Sequence, residues 1–276
     1  MTEVLSGTAL ARDIRATVAT KARQLTADGV EPRLAVVVAT DDESTAWYVR
    51  SIASAAGKTG IRCDVVQVDP QPERIRTRLA ELSADPAIHG VMLQTPLPAG
   101  STLEDLASAI DPDKDVDGAN PVSLGRLSAG LPAFVPATAA AVLALLDHYE
   151  VALAGRDAVV VGRSTVVGKP VAQLLLGRDA TVTVCHSRTK NLAEHTLPAE
   201  VLVVAAGRAG LINAEHVGPG ALVIDVGTNP TADGGLAGDV DQAAVIGLAG
   251  GLTPVPGGVG PVTTALLLRH VVEAVR

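Results

Sequence analysis

The chain has 276 residues, and its composition of 47% hydrophobic and 19% charged residues, with a mean hydropathy of +0.32, excludes a disordered protein because enough apolar surface is present to offset chain entropy. At this length we expect two domains or one large α/β unit. The formal net charge of −8, without a cluster of lysine and arginine, argues against a nucleic-acid-binding surface.

The first residues predict an amphipathic helix and not a targeting segment. Residues 1–22 include acidic side chains and lack the apolar centre of a signal peptide. The sequence contains no run of about 18 or more apolar residues that would span a membrane. The two cysteines, Cys63 and Cys185, supply neither a disulfide framework nor the spacing of metal ligands. We therefore expect a cytoplasmic protein with neither a membrane partner nor a metal ion.

Short apolar segments alternate with helical stretches along the chain, which is typical of buried parallel strands joined by crossover helices. Such an alternation predicts an α/β protein, and the strands fall into two groups. The predicted strands lie at 33–40, 61–68, 89–95, 157–161, 180–184, 201–205 and 221–226.

A segment rich in glycine, proline, asparagine and aspartate at 114–127, followed by a helical stretch, separates the two groups of strands. We place a hinge near 137–150. The last stretch predicts a helix with Pro261 in its first turn, and such a terminal helix often docks on the first domain. The expected domains are therefore 1–138 together with 257–276, and 139–256.

The segment 159–176 predicts a strand, a short turn and a helix that form a phosphate-binding cradle. Gly162 ends the strand and Gly168 begins the helix, which leaves helix amides free for a pyrophosphate. Ser164 takes the place of the second glycine in the dinucleotide-binding pattern. An ordinary strand-to-helix turn would look the same, but the polar end of the next strand favours nucleotide binding.

The residues after that next strand indicate which nucleotide binds. A carboxylate there would accept the ribose 2′-hydroxyl, whereas cations and hydroxyls favour a 2′-phosphate. His186, Ser187 and Arg188 stand at this place, and Arg163 lies in the preceding cradle. Two guanidinium groups favour NADP over NAD. The alternative is that both are solvated loop cations.

Polar residues in the first half mark a second candidate site. A helix beginning after residues 41–44 carries Tyr48, and a lone tyrosine on a helix is more often a core residue than a reacting one. Gln94 stands at the end of a predicted strand, before a loop stiffened by two prolines. Asp117 lies in a turn at 114–118 that either is solvated or points a carboxylate into a cleft. The spacing leaves both alternatives open.

A set of motifs in a fixed order carries a resemblance to a known family. The last of them is a loop dense in proline and glycine, which suits close approach by a flat ligand or is a plain turn before the last helix. The motifs are YV at 48–49, QTPLP at 94–98, KDVDG at 114–118, VVVGRSTVVGKPVAQLLL at 159–176, ATVTVCHSRT at 180–189, IDVGTN at 224–229 and TPVPGGVGPVT at 253–263. Nearly end to end, the chain resembles the bifunctional methylenetetrahydrofolate dehydrogenase/methenyltetrahydrofolate cyclohydrolases.

The resemblance implies an enzyme of one-carbon metabolism, which serves purine, methionine and histidine biosynthesis. It implies that residues 1–138 with 257–276 form a folate-binding catalytic domain and that 139–256 form a Rossmann-like NADP-binding domain. It also implies a folate cleft between the two domains and a homodimer formed through the nucleotide domains. The resemblance implies no metal ion.

The resemblance also implies roles for individual residues. Tyr48 stacks near the pterin, Asp117 hydrogen-bonds the amino-pyrimidine edge of the pterin, and Gln94 lines the reacting centre. The implied substrate-binding residues are Tyr48, Val49, Gln94, Leu97, Asp117, Pro256, Gly257 and Gly258. The implied cofactor-binding residues are Gly162, Arg163, Ser164, Val167, Gly168, His186, Ser187, Arg188 and Thr228.

The chain departs from the family pattern at one chemically important position. Family members read Tyr-Val-x-x-Lys, with the lysine one helical turn after the tyrosine on the same face, and Ile52 stands there in this sequence. Neither Arg50 nor Lys58 replaces the lysine, because both lie on other faces of the helix. Ala137 likewise stands where the family commonly has cysteine, a change with no assigned chemical cost.

The two family reactions need different things from the protein. Hydride transfer from 5,10-methylenetetrahydrofolate needs alignment, whereas hydrolysis of the methenyl product needs a positioned base or proton shuttle. We therefore expect the dehydrogenase to be retained and the cyclohydrolase to be weak or absent. The alternatives are a silent folate- or NADP-binding homologue, and an NADP-dependent dehydrogenase of another small substrate.

Overall fold

The computed structural model describes residues 1–231 and 234–275, apart from the side chain of Ser44. These residues form eleven strands and ten α-helices, with a 3₁₀ turn at Ala214–His216. The strands are β1 Glu3–Val4, β2 Arg33–Val38, β3 Arg62–Gln67, β4 Gly90–Leu93, β5 Asp157–Val161, β6 Thr181–Cys185, β7 Val201–Val204, β8 Leu222–Asp225, β9 Asn229–Pro230, β10 Leu236–Ala237 and β11 Gly251–Leu252. The helices are α1 Thr8–Ala27, α2 Glu43–Thr59, α3 Pro72–Ala84, α4 Leu103–Ala107, α5 Pro121–Ser128, α6 Ala137–His148, α7 Gly168–Leu176, α8 Leu192–Thr196, α9 Gln242–Val245 and α10 Val259–Glu273.

The chain divides into two compact units. The first unit is Arg12–Ala137 with Thr264–Arg276, and the second unit is Met1–Ala11 with Thr138–Thr263. The main break lies close to the expected 138/139 boundary, but residues 1–11 and 257–263 group with the second unit instead of the first. The reason is local pairing, because β1 extends the sheet of the second unit and the N–H of Gly7 donates to the carbonyl of Gly257 at 2.9 Å.

The first unit contains a three-stranded parallel sheet in the order β3-β2-β4. The central strand β2 reads RLAVVV, and its last five side chains are buried, as the continuous apolar run predicts. The strand β3 lies at the edge, where only part of each side chain is covered, and Val65 is 45% exposed. The expectation of a fully buried strand is therefore wrong for β3.

Helix α2 packs an apolar face onto the core of the first unit. The carboxylate of Asp42 caps its start by accepting the N–H of Thr45 at 2.8 Å, and Gly60 ends it with φ of 80°. Ile52 is fully buried in a cluster that also contains residues of β2, α1 and α10. The core is aliphatic, as the scarcity of aromatic residues requires.

The second unit contains a six-stranded parallel sheet in the order β1-β11-β8-β7-β5-β6. The strands β7 and β8 supply buried valine, leucine and isoleucine to its core. The strand β6 lies at the edge with a mostly exposed pattern, so the expectation of a buried strand is wrong there too. A short antiparallel pair, β9 with β10, stands apart from this sheet.

All seven predicted strands are confirmed, with ends shifted by up to two residues. The paired strands β1 and β11 were not predicted, because strands of two residues leave no periodic signal. Helix α5 overlaps the segment 114–127 that separates the two groups of strands, and α6, in the stretch predicted to be helical, fills most of the segment 137–150 expected to hold the hinge. Within the described ranges, no helix combines the length and apolar character needed to cross a bilayer.

Candidate active site

The start of α2 is tied to the loop that follows β4. The hydroxyl of Thr45 donates to the carbonyl of Thr95 at 3.1 Å, and α2 follows the carboxyl end of β2 directly. Three residues further along α2, Tyr48 is partly buried and packs against the core. Val49 is 3% exposed, so its side chain belongs to the core. Tyr48 is therefore placed at the carboxyl end of the sheet of the first unit.

Gln94 continues β4 by one residue and is buried. Its backbone N–H donates to the carbonyl of Val37 at 2.9 Å, which fixes it beside the end of β2. Its side-chain amide contacts the sulfur of Met92 at 3.8 Å. Leu97, in the loop beyond, is partly buried. The carboxyl ends of parallel strands are where α/β proteins place ligands, so Gln94 is well placed to meet one.

The segment carrying Asp117 runs beside β4. The N–H of Val91 donates to the carbonyl of Lys114 at 2.8 Å, and Asp115 pairs with Val91 as an isolated parallel bridge. Asp117 follows Asp115 by two residues, in the same direction in which Gln94 follows Val91 by three. The structure therefore brings Asp117 and Gln94 to the same end of the sheet.

Asp115 anchors the turn around Asp117. Its carboxylate is 1% exposed and accepts the backbone N–H groups of Ala119 at 3.1 Å and Asn120 at 2.7 Å. Burial raises the pKa of Asp115 to about 6, although these hydrogen bonds act in the opposite direction. The turn is therefore not fully solvated, because Asp115 is buried and Asp117 is partly buried.

Tyr48 and Asp117 are electrostatically coupled. Burial, and then the charge of Asp115, raise the pKa of Asp117 to about 7. Burial and the charge of Asp117 raise the pKa of Tyr48 to about 12, while a hydrogen bond with Thr264 lowers it. At neutral pH the phenol is therefore protonated, and Asp117 is divided between its carboxylate and its acid.

Ile52 lies one helical turn after Tyr48, and its side chain is completely buried. It packs in the same apolar cluster as Val36, Val49 and Ala137. An isoleucine at this place offers neither a proton acceptor nor a proton donor. The structure thus places Ile52 and Ala137 in one apolar core.

The cradle of the second unit is built on two close backbone approaches. A side-chain carbon at Gly162, whose φ is +141°, would lie 2.2 Å from the carbonyl oxygen of Ala205. A side-chain carbon at Gly168 would lie 2.2 Å from the carbonyl oxygen of Gly162. The hydroxyl of Ser164 accepts the N–H of Gly168 at 3.3 Å, and Val167 precedes α7 without a side-chain cap. The N–H of Lys169 donates to the carbonyl of Ser164 at 3.0 Å, the N–H of Val171 donates to the carbonyl of Val167 at 2.9 Å, and Pro170 has no N–H. The amides of the first turn of α7 are therefore paired within the protein and not free as expected.

Exposed cations border this cradle. Arg163 lies in the turn and Arg188 follows β6, and neither has a carboxylate within ion-pair distance in the described part of the chain. The Nδ1 of His186 accepts the N–H of Arg188 at 3.2 Å, which shapes the loop, and Ser187 is exposed beside it. The residues present fit a nucleotide with an additional phosphate, because the loop offers cations and a hydroxyl and no carboxylate.

Two buried aspartates that the sequence reasoning did not single out hold the neighbouring loops. Asp239 is fully buried and accepts the backbone N–H groups of residues 206–208 at 2.6–2.9 Å. Asp225 ends β8 and accepts the N–H groups of Asp239 and Val240 at 3.0 Å each. Thr228, three residues after Asp225, is exposed. An aspartate at the end of an apolar strand, in IDVGTN, was the available signal.

The proline- and glycine-rich loop lies at the end of β11 in the second unit. Pro256 is exposed, Gly258 is buried, and Gly257 has φ of +110° and accepts the N–H of Gly7 through its carbonyl. The hydrogen bond from Gly7 holds the loop in place. The assignment of these residues to the substrate stays a prediction.

Among the described residues, no group of three or more histidine, cysteine, aspartate and glutamate side chains is placed to hold a metal ion.

Comparison with known proteins identifies the family. Residues 5–117 match the family profile described as tetrahydrofolate dehydrogenase/cyclohydrolase, catalytic domain, and residues 136–276 match the one described as tetrahydrofolate dehydrogenase/cyclohydrolase, NAD(P)-binding domain. The chain belongs to the tetrahydrofolate dehydrogenase/cyclohydrolase family. The resemblance found in the sequence is thereby confirmed.

Relatives of this family match over almost the whole chain. The Saccharopolyspora erythraea protein named Bifunctional protein FolD 1 is 69% identical over 275 residues, which cover 99% of this chain and 94% of that protein. The bifunctional FolD methylenetetrahydrofolate dehydrogenase/cyclohydrolase of Campylobacter jejuni superposes with a TM-score of 0.96 at 37% identity, covering 100% and 99% of the two chains. The Trypanosoma brucei enzyme, solved with NADP cofactor and inhibitor, gives 0.94 at 35% identity, covering 99% and 97%. The α/β fold with a Rossmann-like unit is thus confirmed.

The raised pKa of Asp117 leads to a prediction about stability. The folded state retains the proton of Asp117 up to about pH 7, whereas an unfolded chain releases it near 3.8, so the wild type loses stability as pH rises through this window. Asp117→Asn removes this loss. We expect the free energy of unfolding of Asp117→Asn to exceed that of the wild type at about pH 8, and the difference to be much smaller at about pH 4.

Urea denaturation at the two pH values measures this difference. The matched control is Asp41→Asn, which removes an exposed carboxylate from the same unit. A gain for Asp117→Asn that is the same at both pH values would show that the carboxyl group of Asp117 is not coupled to its surroundings as described.

Proposed function

We propose that this protein is a cytoplasmic NADP-dependent 5,10-methylenetetrahydrofolate dehydrogenase whose methenyltetrahydrofolate cyclohydrolase activity is weak or absent. The observation that carries the proposal is the placement of Tyr48, Gln94 and Asp117 at the carboxyl end of one sheet, with the fully buried Ile52 one turn from Tyr48. Family membership supports the class of reaction. Its product would serve one-carbon metabolism and, through it, purine, methionine and histidine biosynthesis.

In this proposal Asp117 recognises the pterin. Its carboxylate accepts the N–H groups of the amino-pyrimidine edge, and partial burial strengthens such charge-assisted hydrogen bonds. Binding of these donors favours the ionised form and therefore draws the pKa of Asp117 down from about 7. Asp115 contributes by holding the turn through two backbone N–H groups.

Tyr48 and Gln94 would position the reacting part of the folate. The phenol of Tyr48 stays protonated because burial and Asp117 raise its pKa to about 12, so its ring acts as a stacking surface and its hydroxyl as a fixed dipole. Gln94 is buried at the end of β4 and offers an amide to the reacting centre. Leu97 would add apolar contact from the adjoining loop.

The oxidation depends on the alignment of the folate with the hydride acceptor more than on proton transfer. The C–H bond of the methylene bridge breaks with its electron pair, and the lone pair of the folate nitrogen stabilises the methenyl cation that remains. NADP⁺, when bound, supplies the hydride acceptor. The residues that would hold it are the glycines Gly162 and Gly168 at the cradle, with Arg163 and Arg188 for the 2′-phosphate; Ser164, Val167, His186, Ser187 and Thr228 complete the proposed set.

Hydrolysis of the methenyl cation makes a different demand. Water must add to the amidinium carbon and lose a proton, and then a proton must reach the ring nitrogen before the C–N bond breaks. A positioned base or shuttle typically contributes about 10²- to 10⁴-fold to such a step. Ile52 offers no such group, and its side chain is fully buried in an apolar cluster. We therefore propose that this reaction runs little faster than without the enzyme.

The first experiment follows both reactions in one mixture. Protein, 5,10-methylenetetrahydrofolate and NADP⁺ are combined, and NADPH and the methenyl product are recorded separately against an enzyme-free hydrolysis control. We expect NADPH to rise while the methenyl product decays at the control rate. Faster decay would contradict the cyclohydrolase part of the proposal, and an absence of NADPH would favour a silent binding protein or another substrate.

A substitution at Ile52 tests the missing group directly. In Ile52→Lys the side-chain stem replaces isoleucine in the core, and the ammonium reaches back toward Tyr48 because helical side chains point toward the N-terminus. Asp117 then provides an opposite charge for it. We expect cyclohydrolase activity to rise about 10-fold or more over the wild type.

Ile52→Met is the matched control, because the methionine side chain is similar in length to that of lysine and carries no amine. Its cyclohydrolase activity should equal that of the wild type. Thermal unfolding of both variants shows whether the core tolerates the change, since a lysine in this apolar cluster is also destabilising. A stable Ile52→Lys variant without any gain would mean that other positions of the site also limit hydrolysis.

The proposal includes a homodimer formed through the second unit. The edge strand β6 pairs with β5 on one side, and within the described chain nothing pairs with its other side. Val184 on β6 is 41% exposed, and Leu176 at the end of α7 is 64% exposed. An edge strand with exposed apolar side chains is a surface that a second copy is suited to cover.

The dimer proposal predicts the effect of a charge on β6. Val184→Lys should shift the protein from dimer to monomer in light scattering coupled to size exclusion, because an unpaired charge would be buried in the interface. Val65→Lys is the matched control, since it places the same charge on β3, the edge strand of the other sheet, at 45% exposure. A dimer that survives Val184→Lys, or that Val65→Lys disrupts, would contradict the proposed interface.

A further inference from the structure

The C-terminal helix α10 carries two polar side chains that contact the residues of the proposed folate site. Thr264 forms a hydrogen bond with the hydroxyl of Tyr48. His270 places Nδ1 2.8 Å from the carbonyl oxygen of Val116, the residue between Asp115 and Asp117. Neither residue belongs to any motif singled out in the sequence. Both contacts lie within the first unit.

The state of His270 follows from its surroundings. The side chain is 5% exposed, and its ring lies 5.1 Å from the ring of Phe134. Burial lowers the pKa of His270 to about 4, and the neighbouring Arg269 acts in the same direction. The imidazole is therefore neutral at physiological pH. Because a carbonyl oxygen only accepts hydrogen bonds, Nδ1 carries the proton and donates it to Val116.

This hydrogen bond completes the support of the turn that carries Asp117. The carboxylate of Asp115 holds the N–H groups that follow the turn, and His270 holds the carbonyl within it. Asp117 is the neighbour of Val116, so a rotation of the Val116 peptide would move the carboxyl group of Asp117 directly. A neutral donor is suited to this task, since it adds no charge beside a carboxyl group whose pKa is near 7.

Thr264 serves the other member of the pair. The ring of Tyr48 packs against the core, and the hydrogen bond with Thr264 adds a polar contact that orients its hydroxyl. Thr264 and His270 are six residues apart, about 9 Å along the helix axis. One rigid element thus contacts both Tyr48 and the backbone beside Asp117.

We propose that Thr264 and His270 are positioning residues, through which α10 sets the placement of Tyr48 and Asp117 for folate binding. The inference rests on the proposed function, because it presumes that Tyr48 and Asp117 meet the folate. It assigns no proton transfer to either residue. Loss of either hydrogen bond misplaces a folate contact and leaves the nucleotide site of the second unit intact.

The test uses paired substitutions in the full-length protein. Thr264→Val and His270→Leu each remove one hydrogen bond with little change in volume. Thr264→Ser keeps the hydroxyl, and His270→Asn places an amide N–H where Nδ1–H stands. Thr59→Val is the control, since this threonine is buried in the same unit and its hydroxyl bonds only to carbonyls of its own helix.

Steady-state kinetics give the decisive readout. Thr264→Val and His270→Leu should raise KM for 5,10-methylenetetrahydrofolate about 3- to 10-fold, the loss expected for one hydrogen bond, while KM for NADP⁺ stays within about 2-fold. Thr264→Ser, His270→Asn and Thr59→Val should stay within about 2-fold of the wild type in both constants. Thermal unfolding confirms that each variant is folded at the assay temperature.

Direct binding of tetrahydrofolate by calorimetry separates the two proposals. If the wild type turns over and Thr264→Val and His270→Leu change neither constant, or change both equally, the positioning role is wrong while the proposed function stands. If the wild type binds folate without turnover, the same pattern of losses must appear in the calorimetric affinity. If the wild type neither binds nor turns over, both proposals are overturned.

Discussion

Buried aspartates that accept backbone N–H groups hold the functional loops of both units. A parallel strand delivers its ligand-binding residues on irregular chain beyond its carboxyl end, and such chain carries polar backbone groups that burial would otherwise leave unpaired. Asp115 satisfies them in the first unit. Asp239, with Asp225, satisfies them in the second. Each carboxylate serves several donors at once, so a short loop is fixed without secondary structure of its own.

The buried carboxylate of Asp115 also affects the pKa values of side chains in the first unit. Burial raises the pKa of Asp117, and the charge of Asp115, whose carboxylate is held by the backbone, raises it further. The phenol of Tyr48 is held neutral by burial and by Asp117 in turn. A cation at the position of Ile52 would oppose both effects, whereas an aliphatic side chain leaves them at full strength. The residue at position 52 therefore bears on the pKa of both Asp117 and Tyr48.

Much of this was accessible from the sequence. Apolar runs revealed every long strand, whereas the resemblance to the family, and not the spacing of the residues, singled out Tyr48, Gln94 and Asp117 as parts of one site. Pairings of two-residue strands were inaccessible, as was the exposure of β3 and β6, since periodicity does not reveal which strand lies at an edge. Thr264 and His270 left no signal either, because their partners are 216 and 154 residues away in the chain.

The shared burial of Ile52 and Ala137 has a consequence for how such a site changes over time. Both positions belong to one close-packed cluster, where the volume of each side chain limits what its neighbours accept. Substitutions at the two positions are therefore expected to be epistatic. The packed aliphatic core around Ile52 resists a charged side chain, so a lysine is harder to introduce there than another aliphatic group.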